Sequence, residues 1–244
     1  LNSTNPISVL ERQVLNHVAR FKLTTRETCG KTGDLREQVP GDLDNSISRL
    51  KREGYLISGA LFGKQNYFAL TEKGMANVTI PIKRKHHYGL LSEIAKYKSV
   101  GVLDYCLDPR TSWLPAIGDE LRELIGDSIV GLPGGFLRDS KNNRYCFLRV
   151  DLSIESAPNR SAQAIRTDLL TIRRHPKLFA AFQDRSLEYA WTTATKPRSD
   201  KVIERFRKYH DVGHDIVKFH VAPILLPLAV SIPLATSLDK RVTP

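Results

Sequence analysis

The sequence predicts a mixed α/β chain of the α+β kind, a small helical N-terminal domain ahead of a larger mixed-sheet domain. Three observations predict it. Apolar residues recur at helical spacing through the first fifty residues. After Gly54 the pattern switches to the two-residue period of strands. Beyond residue 100, strand-like and helix-like segments alternate, as in a sheet covered by helices. The expected boundaries are 1–80, 83–220 and a Pro-rich tail at 221–244.

Ser8-Val-Leu-Glu11 has capping-box spacing and opens an apolar stripe of Leu10, Val14, Leu15 and Val18. Thr24-Thr-Arg-Glu27 repeats the signature and starts a short helix that Gly30 ends. A third helix is expected from Asp42 or Asp44, with Leu43, Ile47 and Leu50 inward and Gly54 at its stop. Its outer face carries Asn45, Ser48, Arg49, Lys51 and Arg52. Residues 55–58 and 66–70 then predict two strands around a glycine-containing turn tipped by Lys64 and Gln65. Three helices, a basic third helix and a hairpin make a winged helix-turn-helix. "SRLKREGYL" followed by "YFALTEKG" resembles many winged-helix regulators, whose third helix enters the major groove while the wing touches flanking backbone. The resemblance implies Arg49, Lys51 and Arg52 on phosphates or guanine edges and Asn45 and Ser48 reading bases, with Lys64 and Gln65 at the wing. Winged helices also serve as protein-docking modules, and a charged helix face is often only solvated.

Charge supports the nucleic-acid alternative. Thirty-seven Lys+Arg against 26 Asp+Glu leave a net +11, with a pI near 9.7. Such a surface binds polyanions, double-stranded DNA among them, by releasing condensed counterions. A hydrophobic content of 41% is enough for an ordinary core. Cys29, Cys106 and Cys146 are odd in number and far apart, which argues against a disulfide framework or zinc knuckle and fits a reducing cytoplasm. The sequence opens without a basic-then-apolar signal segment. The most apolar run, 221–235, is interrupted by Pro223, Pro227 and Pro233 and falls short of the roughly 20 residues of a membrane span. It predicts an irregular strap over apolar surface, or a partner-docking tail. These features together predict a soluble, cytoplasmic protein.

The domain junction is expected at 78–82, around Pro81. Lys83-Arg-Lys-His-His87 then opens a helix to about Lys98 with Leu90, Leu91, Ile94 and Ala95 inward, and Lys83, Arg84 and Lys85 are placed for phosphate contact. A helical stripe follows at 113–125, strands at 129–137 and 145–152 around the polar turn 139–144, and a basic helix at 162–175. A short buried strand at 187–192, a second basic helix at 200–209 and a last strand at 215–221 complete the pattern.

The order of a winged helix, His86-His87, Asp119-Glu-Leu-Arg122, Leu132-Pro-Gly-Gly-Phe-Leu-Arg138 and Phe147-Leu-Arg-Val-Asp151 resembles the replication-relaxation family, over roughly residues 8–210. That family is linked to plasmid replication and mobilisation and is similar to plasmid mobilisation relaxases with a restriction-endonuclease-like catalytic domain. The resemblance implies a nuclease-like mixed sheet whose carboxylates hold Mg²⁺ or Mn²⁺ to activate water. The family pattern is Pro-Asp in one strand and Glu-x-Asp in the next. Here Gly134 follows Pro133, and Arg149 stands where the glutamate belongs. Asp151 matches the second acidic position and Glu120 the helix glutamate, while Arg166 stands in for the lysine. Asp139 and Glu155 are further carboxylates at other spacings. The residue-by-residue implication is Asp151, as metal ligand and catalytic candidate, with Glu120; an active nickase with a rearranged site would draw in Asp139 and Glu155 as further catalytic candidates. Binding alone would need no cofactor. The alternative is structural, with Asp151 paired to Arg149 or Arg166.

His210 and His214 lie at i and i+4, with His220 beyond, but lack the glutamate of zinc peptidases, and no glycine-rich Lys-Ser/Thr loop cradles a nucleotide. Three functions follow as expectations: a sequence-specific DNA-binding protein of a plasmid or mobile element at a replication or transfer origin, alongside other origin-complex proteins; an active metal-dependent nickase; or a winged-helix transcriptional regulator.

Overall fold

Ser8 opens helix α1 (Val9–Phe21) with the expected capping box, its hydroxyl accepting from the Glu11 amide while the Glu11 carboxylate accepts from the Ser8 amide. The computed structural model describes residues 6–82, 88–126, 135–139, 141–152, 157–213 and 216–229. Helix α2 (Arg26–Cys29) is capped by Thr25 answered by Thr28, one residue beyond the spacing the sequence suggests. The reason is that Thr24 is taken elsewhere: its backbone pairs with Phe68 in both directions, and its hydroxyl meets His17. Helix α3 (Pro40–Arg52) starts before Asp42, because Pro40 is preset for the first helical position. Strands β1 (Leu56–Phe62) and β2 (Gln65–Leu70) form an antiparallel hairpin, followed by the short helix α4 (Glu72–Met75).

From Tyr67 onward, strand β2 is buried on both faces. Phe68 and Leu70 join α1 and α3 in one apolar cluster, together with Val14, Leu15 and Leu50. Tyr67 and Ala69 point the other way, into a second cluster that also holds Tyr97, Val100 and Leu148. The N-terminal unit and the larger sheet therefore share a core. Val78, Ile80 and Ile82, at the expected junction, pack back onto the N-terminal cluster.

Helix α5 (Glu93–Cys106) begins later than the sequence suggests, and residues 83–87 lie outside the described residues. Gly89, at φ 91°, turns the chain, and Ser92 supplies the cap. Leu90 and Ile94 are consequently exposed rather than inward, and the buried stripe runs through Tyr97, Val100 and Leu103. Gly101 lets α5 press on the sheet, since a Cβ there would meet Val150 Cγ1 at 2.8 Å.

The stripe expected at 113–125 divides at Pro115 into strand β3 (Trp113–Pro115) and helix α6 (Gly118–Ile125). Strands β4 (Gly135–Asp139) and β5 (Arg144–Val150) follow, then α7 (Pro158–Arg174), expected at 162–175, and α8 (Pro176–Gln183), to which the sequence pattern assigned no element. His175 ends the first helix and caps the second, with Pro176 opening it. Strand β6 (Leu187–Thr193), helix α9 (Lys196–Phe206), strand β7 (Val217–Val221), a 3₁₀ turn (Pro223–Leu225) and α10 (Leu226–Ala229) complete the described chain.

The chain is thus mixed α/β, with a five-stranded sheet ordered β3-β4-β5-β6-β7. The first three strands form an antiparallel meander, and β5, β6 and β7 run parallel. Alternation along β5 sorts its side chains: Tyr145 and Phe147 pack under α7 and α9, while Cys146 and Leu148 face α5. Leu225 and Leu228 of the tail, on the 3₁₀ turn and α10, cover that second face. No helix among the described residues is long and apolar enough to cross a membrane. All three cysteines are buried free thiols, and burial pushes Cys29 up to about 12.

One buried ring makes the fold sensitive to acid. His17 lies 3.1 Å from Thr24 Oγ1 and 3.4 Å from Thr32 Oγ1. Burial lowers its pKa from 6.5 to about 3. Between those values the unfolded chain takes up a proton that the folded chain refuses, so stability falls as pH drops below 6.5. From pH 6.5 to 5 the expected loss is about 2 kcal/mol. Urea melts at pH 7 and pH 5 check it: His17→Gln should show a smaller difference than wild type. Equal differences would mean that His17 is not the acid-sensitive group.

Candidate nucleic-acid interface

The α3 face and the hairpin tip meet. A cleft of about 330 Å³ opens between the start of α2, Lys51 near the end of α3 and the hairpin, and Arg26, Lys51, Lys64, Gln65 and Asn66 line it together with one acidic residue, Glu27. The sequence anticipates Lys51, Lys64 and Gln65, and the hairpin register brings them to one place. Gln65 pairs with Phe62 across the turn, so Gly63 and Lys64 form the exposed tip. Asn45, Ser48, Lys51 and Arg52 are exposed on α3. Lys51, Arg52 and Lys64 form no ion pair with any described residue, which leaves their charge available to an outside anion.

Arg49 behaves differently from its neighbours. Its Nε donates to Glu53 at 2.8 Å and its Nη1 lies 3.2 Å from Glu11, a carboxylate that is 4% exposed. It ties α3 to α1. Arg26, which sequence reasoning missed, reaches across from α2 to Asp44 Oδ1 at 2.9 Å and Ser48 Oγ at 3.0 Å. That bond orients the Ser48 hydroxyl. The signal was available, since Arg26 is the first residue after the Thr25 cap and so projects from a helix start. Lys83, Arg84 and Lys85 lie outside the described residues.

The carboxylates of the second unit are placed separately. Asp151 follows the end of β5, its amide bonded to Thr192 O on β6. It is 6% exposed and paired with Arg198, 9% exposed, through Nε to Oδ2 at 3.1 Å. Ser161 donates to its other oxygen at 3.2 Å and accepts from Arg198 Nη2 at 2.8 Å. Local sequence sets this up: Thr195 caps α9 through the Arg198 amide, and Pro158 opens α7 so that Ser161 falls in its first turn. The two expected arginines are engaged elsewhere. Arg149 binds Asp168 at 2.6 Å, and Arg166 forks onto Asp211.

Glu120 is held between the two units by a bidentate pair from Arg20 at 2.9 Å and by the Ile117 amide. Burial acts to raise this carboxyl, but the Arg20 and Ile117 bonds together hold it below its ordinary value. Asp139 sits at the β4–β5 turn, accepting from the Lys141 amide at 3.1 Å and Asn142 Nδ2 at 2.6 Å. Gly134 and Glu155 lie outside the described residues. Among the described residues no three acidic, imidazole or thiol side chains gather as a metal-holding group. These carboxylates as placed do not fit a shared divalent ion, because each is already answered by a guanidinium, an amide or both.

No protein-family model, curated protein or solved structure matches the chain.

Proposed function

We propose that the chain is a sequence-specific double-stranded DNA-binding protein whose residues 1–80 act as a winged helix-turn-helix. The observation that carries this reading is the cleft in which Lys51 of α3 meets the hairpin tip, lined by Lys64, Gln65 and Asn66. Helix α3 would lie in the major groove, with Asn45 and Ser48 towards base edges and Lys51 and Arg52 on phosphates. Lys64 and Gln65 would meet the flanking backbone.

The larger unit runs α5, β3, α6, antiparallel β4 and β5, the crossover pair α7 and α8, and then the parallel strands β6 and β7 on either side of α9, an order compatible with a restriction-endonuclease-like arrangement. With Asp151 occupied by Arg198, it serves binding or assembly in this reading rather than strand cleavage. The resemblance to the replication-relaxation family suggests the setting, a replication or transfer origin of a plasmid or mobile element, where other origin-complex proteins are the further partners.

Titration of the full chain onto duplex DNA at several salt concentrations tests the reading. Log K should fall linearly with log salt, with a slope of about 0.9 per phosphate contact. Absence of binding at low salt, or a flat response to salt, would refute it.

A further inference from the structure

A second, larger cleft of about 560 Å³ lies where the N-terminal unit meets the edge of the sheet. Five basic residues line it, Arg20, Lys22, Lys98, Arg149 and Arg160, against one acidic residue, Asp151. The pairings remove part of that excess. Arg20 is bound to Glu120, Arg149 to Asp168 and Asp151 to Arg198. Lys22, Lys98 and Arg160 remain, with no ion pair to any described residue.

These three cations come from three separate elements. Lys22 is the C-cap of α1, held in the left-handed region at φ 68°. Lys98 projects from α5, and Arg160 from the first turn of α7. All three are exposed and line the same cleft, so an anion bound there meets positive charge from three elements at once. The α7 start adds the positive end of a 17-residue helix, which no side chain caps. Phe136, Val102 and Leu152 are partly buried and supply apolar wall. The volume lies in the range of sites that enclose a small organic ligand.

We propose that this cleft binds a nucleotide-sized phosphate ester, with Lys22, Lys98 and Arg160 on the phosphate and the apolar wall against the rest of the ligand. Arg160 suits it through the planar fork of its guanidinium, and the lysines as point charges. The same chemistry is offered by a free nucleotide and by the phosphorylated end of a DNA strand. This site is separate from the α3–hairpin cleft, and neither proposal rests on the other.

The test uses the full chain carrying Lys51→Ala, Arg52→Ala and Lys64→Ala, which silences the other cleft. Calorimetric titrations are run with deoxyadenosine 5′-monophosphate and with a single-stranded tetranucleotide bearing either a 5′-phosphate or a 5′-hydroxyl. Binding of the mononucleotide supports the free ligand as source, and binding of the phosphorylated tetranucleotide alone supports a strand end. In either case Lys98→Gln with Arg160→Gln should weaken binding about tenfold or more, as loss of a charge-assisted bond predicts. Both side chains are exposed, so the melting temperature should hold. No binding of any phosphorylated probe would overturn the proposal. So would equal affinity for the 5′-hydroxyl strand, or affinity unchanged in the double variant.

Discussion

In the variant Lys51→Ala, Arg52→Ala, Lys64→Ala, sequence-specific binding to duplex DNA is expected to disappear while the fold survives. All three side chains are exposed and make no ion pair with a described residue, so each replacement should change stability by no more than about 0.5 kcal/mol. The effect falls on the complex. If each cation neutralises one phosphate, the salt slope of log K drops by about 0.9 per residue, or about 2.7 for the three. Residual non-specific affinity should then vary much less with salt. Arg49 is left out for a structural reason. Its guanidinium is committed to Glu11 and Glu53, so Arg49→Ala should lower stability more than it lowers the salt slope. An unchanged slope in the triple variant would remove α3 and the hairpin from the DNA contact.

Arg198→Met should have the largest effect on the fold itself. Arg198 and Asp151 are both nearly buried, and Ser161 bridges them. Removing the guanidinium leaves the Asp151 carboxylate in a low-dielectric site with its main countercharge gone. Breaking a buried pair in this way costs about 3–5 kcal/mol. For a chain of this size that corresponds to a fall in melting temperature of roughly 10 °C. Asp151→Leu combined with Arg198→Met removes both charges and should recover most of the loss, since a pair of apolar groups avoids the desolvation cost. Thermal melts of the two single variants and the double variant make the comparison. Additive losses would mean that the pair is not coupled and that Arg198 does not occupy Asp151.

That pair also marks the limit of what the sequence makes legible. Helix α1, the apolar face of α3, the hairpin and strands β5 and β6 follow from local periodicity and capping, because their signals lie within a few residues of one another. The position of Asp151 at a strand end was legible for the same reason. Its partner was not. Arg198 lies 47 residues away, and it reaches Asp151 only because β5 and β6 pair in parallel and both following helices begin at the same sheet edge. Arg149 and Arg166 were nearer in sequence but point to Asp168 and Asp211.

Other differences have the same origin. Local spacing favoured Thr24 as a cap, whereas a bridge to Phe68 on the hairpin claims it. The apolar residues at 90–95 mimic a helix stripe, yet Gly89 and Ser92 delay the helix, and Leu90 stays outside. In the candidate interface Lys51, Lys64 and Gln65 were readable as exposed polar residues. Their gathering into one cleft, and the part played by Arg26 in holding Ser48, depend on how α2 packs beside α3.

The most direct measurement places a photo-crosslinking residue at Asn45 on α3, at Gln65 on the hairpin, and at Gln183 as a control. Asn45 and Gln65 are exposed on the proposed interface. Gln183 is exposed at the end of α8, which packs on the face of the sheet away from the hairpin. With bound duplex DNA, crosslinks should form from positions 45 and 65 and not from 183. Crosslinking from 183 alone, or silence at 45 and 65 while the protein remains bound, would contradict the assignment of the α3–hairpin cleft as the DNA-binding surface.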